Sequence, residues 1–167
     1  KASGLDAKQI HADLALVATL IGQRAYDKAL KATDQLEKKQ PDSPLVHTVR
    51  ATILVAQNDT LKARLSLDKA VGLQFNYLPA VRILANLDLA DRKPENARAR
   101  YDAIVAREPG NDAALVAYAD FLSSIGAVSR DIVSLIDRAI KANPSSVAAH
   151  IALVKFHTRA KDPKAAL

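Results

Sequence analysis

"ALKATDQL" at residues 29–36 is followed 34 residues later by "ARLSLDKA" at 63–70, 34 later again by "ARARYDAI" at 97–104, and 35 after that by "IVSLIDRA" at 132–139. The first three open on Ala29, Ala63 and Ala97, and all four carry an aspartate at the sixth place, so Asp34, Asp68, Asp102 and Asp137 mark one register. A second marker keeps the same step. "LEKKQPDSPLVH" (36–47), "IVAREPGNDAAL" (104–115) and "AIKANPSSVAAH" (139–150) are one corner written three times, with Pro41, Pro109 and Pro144 in phase and Phe75 where a fourth proline would stand. The apolar residues fall three and four apart, the spacing of one helix face, and no strand-like alternation competes. A period of about 34 residues holding two helices is a helix-turn-helix repeat. The extra residue before the fourth octet falls in "GAVSRD" (126–131), a turn where an insertion disturbs no packing.

The register reads as a single array over 1–167, with repeats at about 10–43, 44–77, 78–111 and 112–146 and a truncated fifth at 147–167, an internal segment of a longer chain. In the second repeat Asp42 or Ser43 is placed to cap helix A, and Pro44 takes its first turn, where a missing N–H costs nothing. That helix is expected to run to about Ala56. "QND" (57–59) breaks it, Asp59 caps helix B, and Gly72 suits a left-handed C-cap. Pro94 opens helix B of the third repeat, and "KDPKAAL" (161–167) announces a helix that stops at Leu167. Ala29, Ala63, Ala97 and Ala166 sit early in helix B, where two backbones approach closely. One helix pair cannot bury its apolar side alone, so pairs stack and a small rotation per repeat curves the array. The expected class is all-α, a right-handed superhelical α-solenoid whose inner wall is lined by A helices.

Composition removes most function classes. The chain has 167 residues, enough for one architecture with a real core, and is 49% hydrophobic, yet no apolar run reaches the ~18 residues of a membrane span. It starts at Lys1 with no charged segment followed by an apolar one, so it reads as a processed or excised piece with any targeting signal outside it. No cysteine means no disulfide, thiolate metal site, cysteine nucleophile or lipid-bearing cysteine within these residues. The +6 charge is interspersed, as in "DRKPENARARYD" (91–102), which suits a solvated surface better than a polyanion groove. Four Tyr and three Phe are too few for a base-stacking platform, so nucleic acid is not an expected partner. With five Gly and no nucleophile elbow, P-loop, zincin or dinucleotide motif, neither catalytic residues nor a cofactor is expected. His47 and His150 fall at an interior packing position, and His157 lies seven residues beyond His150, but no carboxylate or cysteine completes a metal site. The recurring aspartates, one per B helix, read as outer-face residues, with Asp34–Lys38 and Asp137–Lys141 as ordinary helix-surface pairs.

This period, with Ala early in helix B and Pro after it, resembles the tetratricopeptide family throughout. The aromatic usual early in helix A is Asp13, His47, Val81, Leu115 and His150 here, while the small residue four places on survives as Val17, Ala51, Ala85, Ala119 and Val154. The resemblance implies a non-catalytic interaction scaffold that takes a protein or peptide partner in its concave groove. Setting the repeats in register puts Thr48, Thr52, Arg82, Asn86, Asp120, Lys155 and Arg159 on that wall among Ala, Leu and Val, and these are the candidate partner-binding residues. Arg82 and Asn86 stand where tetratricopeptide domains that hold a peptide C-terminus carry a basic residue and an Asn. Ala117, Ala148 and Ala152 occupy the places of the remaining donors, so a mixed polar groove is expected instead of a full carboxylate clamp. A pentatricopeptide-like RNA reader shares the period but needs a base-reading helix face that this wall lacks.

Within that family, "LEKKQPDSPLVH", "YLPAVRILANLDLADRKPENARARYDAIV" (77–105) and "RAKDPKAAL" (159–167) resemble the PrsT family, tetratricopeptide lipoproteins of the bacterial PEP-CTERM/exosortase system. That resemblance implies a part in exopolysaccharide biosynthesis and export in a Gram-negative bacterium, a periplasmic location, and outer-membrane anchoring of the full-length protein. The alternative is a structural spacer or polysaccharide-associated module of an envelope assembly. Repeat arrays need terminal caps. A stop at "KDPKAAL" is expected to leave Ile151, Leu153 and Val154 partly uncovered and to favour self-association through that end.

Overall fold

The structure, a computed structural model, describes residues 2–159, with side chains from residue 9. Every regular element among the described residues is a helix. The chain divides into two compact units, Lys1–Asp91 and Arg92–Leu167. The first holds α1 (Ala2–Gly22), α2 (Tyr26–Lys39), α3 (Pro44–Ala56), α4 (Thr60–Leu73) and α5 (Leu78–Ala90); the second holds α6 (Pro94–Arg107), α7 (Asp112–Ser124), α8 (Ser129–Ala142) and α9 (Val147–Arg159). Odd-numbered helices are the A helices of the repeat and even-numbered ones the B helices, and the division falls inside the third repeat.

Two kinds of corner alternate, and each satisfies the carbonyls that a helix end leaves orphaned. After each of α1, α3, α5 and α7 one residue turns left-handed: Arg24 (φ 57°), Asn58 (62°), Arg92 (59°) and Gly126 (68°). The next N–H then reaches five residues back, from Ala25 to Leu20 O (2.9 Å), Asp59 to Leu54 O (2.9 Å) and Ala127 to Leu122 O (3.0 Å). B helices end differently, with Gln40 (φ −139°), Gln74 (−144°), Glu108 (−128°) and Asn143 (−140°) leaving towards extended backbone. Gly72 therefore does not supply the left-handed cap expected of it. It lies within α4, which continues to Leu73. Asp59 does cap α4, accepting from the Lys62 N–H at 3.1 Å, whereas Ser43 precedes α3 without a side-chain cap bond.

Packing follows the register. In the first unit Val17, Ala29, Leu36, Val46 and Ile53 form one core across α1, α2 and α3, and Ala51, Leu54, Ala63, Leu67, Ala70, Ala80, Leu84 and Leu87 form another across α3, α4 and α5. Ala29, Ala63 and Ala97 are fully buried, as close backbone approach requires. Each wholly buried Leu, such as Leu36, Leu67 or Leu84, contributes about 2 kcal/mol of transfer free energy. In the second unit the Tyr101 ring stacks on Tyr118 (centroids 5.3 Å apart, planes at 7°) and on Phe121 (5.0 Å, 28°).

All four recurring aspartates are exposed, as expected of an outer face, but two of them also bond to the next A helix. Asp34 accepts from Arg50 Nη2 at 2.6 Å, a bond to the next A helix instead of the expected pair with Lys38, and the same nitrogen donates to Glu37 at 2.6 Å. Asp102 bonds to the Tyr118 hydroxyl. In both cases the donor lies sixteen residues on. Sixteen residues beyond Asp68 and Asp137 stand Leu84 and Leu153, which offer no donor.

Candidate partner-binding surfaces

In the first unit the A helices display less than the register promised. Thr48 is 6% exposed, and its hydroxyl donates to Pro44 O at 2.8 Å, one turn back on α3. Thr52 is exposed, its hydroxyl donating to Thr48 O at 3.0 Å. Arg82 and Asn86 are both exposed, one turn apart on α5. The opposite face of α5 buries Ala80, Leu84, Leu87 and Asp88. Asp88 accepts from Arg64 Nη1 at 2.7 Å, and Arg64 Nη2 donates to Asp91 at 2.8 Å. Burial works against the Arg64 charge, but the Asp88 and then the Asp91 carboxylates outweigh it and hold the guanidinium above its ordinary value. This network ties α5 to α4 and fixes the helix that presents Arg82 and Asn86. Sequence reasoning passed over Asp88, yet a signal existed: Leu20, Leu54 and Leu122 occupy the same register place.

In the second unit the structure brings three predicted residues to one concavity. A groove of about 740 Å³ runs between α7, α8 and α9, lined by Asp120, Lys155 and Arg159 together with Ser123, Ala152 and Phe156. Ile132 and Ile136 of α8 supply apolar lining. Arg159 Nη1 donates to Ser123 Oγ at 2.8 Å, so that cation is held in place, with Lys155 one turn back on the same helix. At the other end of these helices Asp112 fixes the corner between α8 and α9. Its carboxyl lies below the ordinary range because the Ser146 hydroxyl donates to it and Asn143 Nδ2 adds a bond at 3.1 Å, against the opposing effect of burial. Chemically, the groove offers apolar contact beside two cations and one carboxylate, the mixture by which a few polar groups orient a ligand over an apolar surface. Ser123 was missed, although its polarity stands out against Ile21, Val55 and Leu89 in the same register column.

The histidines separate. His47 is buried, with Nε2 3.0 Å from Pro41 O, as the packing role expects. His150 makes the equivalent contact, Nε2 to Pro144 O at 2.9 Å, but is exposed, which corrects its assignment to the interior. His157 is half-buried and edge-on to Phe156 (5.5 Å, 77°). Among the described residues no three or more His, Cys, Asp or Glu gather as metal ligands, and no helix is long and apolar enough to cross a membrane.

Paired helices at this period, joined by left-handed turns, with a buried Ala early in α2, α4 and α6, point to one repeat, and residues 84–147 match the family described as tetratricopeptide repeat. The matched stretch carries tetratricopeptide repeats. No curated protein matches it. Solved structures share the fold at low identity. MamA of Desulfovibrio magneticus RS-1, from residue 41 to its end, is 16% identical over 94% of this chain and 88% of its own, with a TM-score of 0.54. PilW, a widely conserved type IV pilus biogenesis factor, is 18% identical over 94% of this chain and 72% of its own, at 0.59. YrrB, a tetratricopeptide protein with an unusual peptide-binding site, is 13% identical over 97% and 87%, at 0.50. These likenesses establish the fold class as that of the all-α tetratricopeptide solenoids.

Proposed function

We propose that the chain is a non-catalytic protein-interaction scaffold whose α7–α9 groove receives an extended peptide or a helix from a partner protein. The observation that carries this reading is the groove itself, where apolar lining meets Lys155, Asp120 and a positioned Arg159. The exposed pair Arg82 and Asn86 is a second contact surface, taken within its own unit. The peptide-binding site of YrrB supports peptide capture as a use of this fold. A role in exopolysaccharide export of the PEP-CTERM/exosortase kind, at a periplasmic or outer-membrane-anchored location, rests on the resemblance to the PrsT family.

A displayed random-peptide library panned against the chain tests the groove. Retained peptides are expected to lose at least tenfold in affinity on combined Lys155→Glu and Arg159→Glu substitution, and to be indifferent to Arg138→Glu on the outer side of α8. Recovery of no peptide, or of peptides that ignore the groove substitutions, would overturn the reading. Fractionation of the host cell tests the envelope part, which a cytosolic protein would end.

A further inference from the structure

The outer face of α4, in the middle of the first unit, departs from its own repeat. Down the register columns Leu61 stands with Asp27, Glu95 and Arg130, Leu65 with Lys31, Ala99 and Ser134, and Leu73 with Lys39, Arg107 and Ala142. Of the four B helices only α4 fills these places with large apolar side chains. All three leucines are exposed, Leu61 at 74% and Leu65 at 59%, because the helix turns its other side, with Ala63, Leu67 and Ala70, to the core. Single exposed leucines are ordinary, but a ridge of them one turn apart on one helix is a patch. Beside the ridge lies a hollow. A groove of about 900 Å³ is formed by α2, α3 and α4, with Leu30, Leu54 and Leu65 as its apolar lining and Lys62, Asp68 and Lys69 among its polar lining. Leu65 belongs to both ridge and groove, whereas Leu61 stands outside the groove.

We propose that this face is the interface of a homodimer, in which the Leu61 and Leu65 ridge of each copy lies in the α2–α4 groove of the other. The argument is self-complementarity. At about 100° per residue, Leu61 and Asp68 fall on one flank of the line through Leu65, and Lys62 and Lys69 on the other. Asp68 and Lys69 make no hydrogen bond or ion pair among the described residues, whereas Lys62 donates to Asp59 at 2.7 Å. Being neighbours in sequence, they stand at nearly one height on the helix. A two-fold axis running along α4, between ridge and groove, therefore brings Asp68 of each copy against Lys69 of the other. One surface that carries both a ridge and a hollow, with uncommitted charges of both signs, closes on its own copy. The contact follows one helix of 14 residues, about 21 Å long, which places it at the small end of specific interfaces, so the dimer should dissociate on dilution.

Sedimentation velocity of the full chain over a range of concentrations tests this. A reversible monomer–dimer equilibrium is expected, weakened by added salt. The chain carrying Leu61→Glu and Leu65→Glu should stay monomeric over the same range; both positions are exposed, so its helical circular dichroism should be unchanged. Asp68→Lys and Lys69→Asp each set like charges face to face twice and should each weaken the dimer about tenfold. Mixed in equal amounts, these two variants should pair with each other as tightly as the wild type does, because each contact regains opposite charges. Lys155→Glu with Arg159→Glu, in the α7–α9 groove, should leave the dimer intact, so failure here is distinct from failure of the peptide-binding reading. A chain that is monomeric at every concentration would overturn the inference. A dimer indifferent to the leucine substitutions, one abolished by Ile151→Glu on α9 instead, or a mixture of the two charge variants that stays monomeric would each overturn it as well.

Discussion

Asp34 and Asp102 hold the same place in their helices, and what each does is decided by a residue sixteen positions away. Arg50 offers Asp34 a guanidinium, Tyr118 offers Asp102 a phenol, and Leu84 and Leu153 offer Asp68 and Asp137 nothing. The Tyr118 contact has a measurable signature. Burial of the phenol, then its bond to Asp102 and the charge of that carboxylate, push its pKa well above the ordinary 10.0. A folded-state value above the unfolded one contributes stability that is complete below the unfolded pKa and lost as pH rises towards the folded value. Urea unfolding at pH 7 should find Tyr118→Phe less stable by about 1 kcal/mol, the net worth of one buried hydrogen bond. From about pH 10 upward the wild type should lose stability through this group, and the gap between the two proteins should close. A variant as sensitive to alkali as the wild type would show that Tyr118 does not carry the loss.

At the scale of the element, corners decide which glycines matter. A-helix ends need a left-handed residue and B-helix ends do not, so Gly126 is held at φ 68° while Gly72 sits in ordinary helix. A Cβ built on either glycine meets no atom within 4 Å, which leaves backbone preference alone to set the outcome. Gly126→Ala should cost about 1 kcal/mol, since a left-handed conformation penalises any side chain. Gly72→Ala should instead add roughly 0.5 kcal/mol, because alanine outranks glycine in a helix. Paired chemical denaturation checks both signs, and a loss of stability at Gly72→Ala would contradict the placement of α4. Helix starts were legible in the sequence because Pro44, Asp59 and Pro94 act locally, through a fixed φ or a side-chain acceptor. The end of α4 was not, because a glycine permits a left-handed turn without requiring one. Burial was legible at Leu115 of α7, which packs between α6 and α8, and was misread at His150 on α9. Asp88 and Ser123 were overlooked because each was weighed in its own helix. Read down the register column, a carboxylate among leucines and a hydroxyl among aliphatic residues would have marked them.

For the whole molecule, the period says that every helix pair is equivalent, and equivalence carries no sign of a boundary. The two compact units, meeting in sequence at Asp91 and Arg92, are a property of how the pairs pack and not of any motif. In stacked repeats stability is approximately a sum of local terms, so a defect should stay near where it is made. Leu36 in the first unit is 0% exposed and Ile136 in the second 1% exposed, and truncating either to Ala should cost about 2–5 kcal/mol through lost transfer energy and the cavity left behind. Hydrogen exchange should then separate the two halves. Leu36→Ala should lower amide protection across α1, α2 and α3 while α7 and α8 keep theirs, and Ile136→Ala should do the reverse. If either substitution lowered protection evenly along the whole chain, the units would share one cooperative transition, and the local character of the repeats would have to be abandoned.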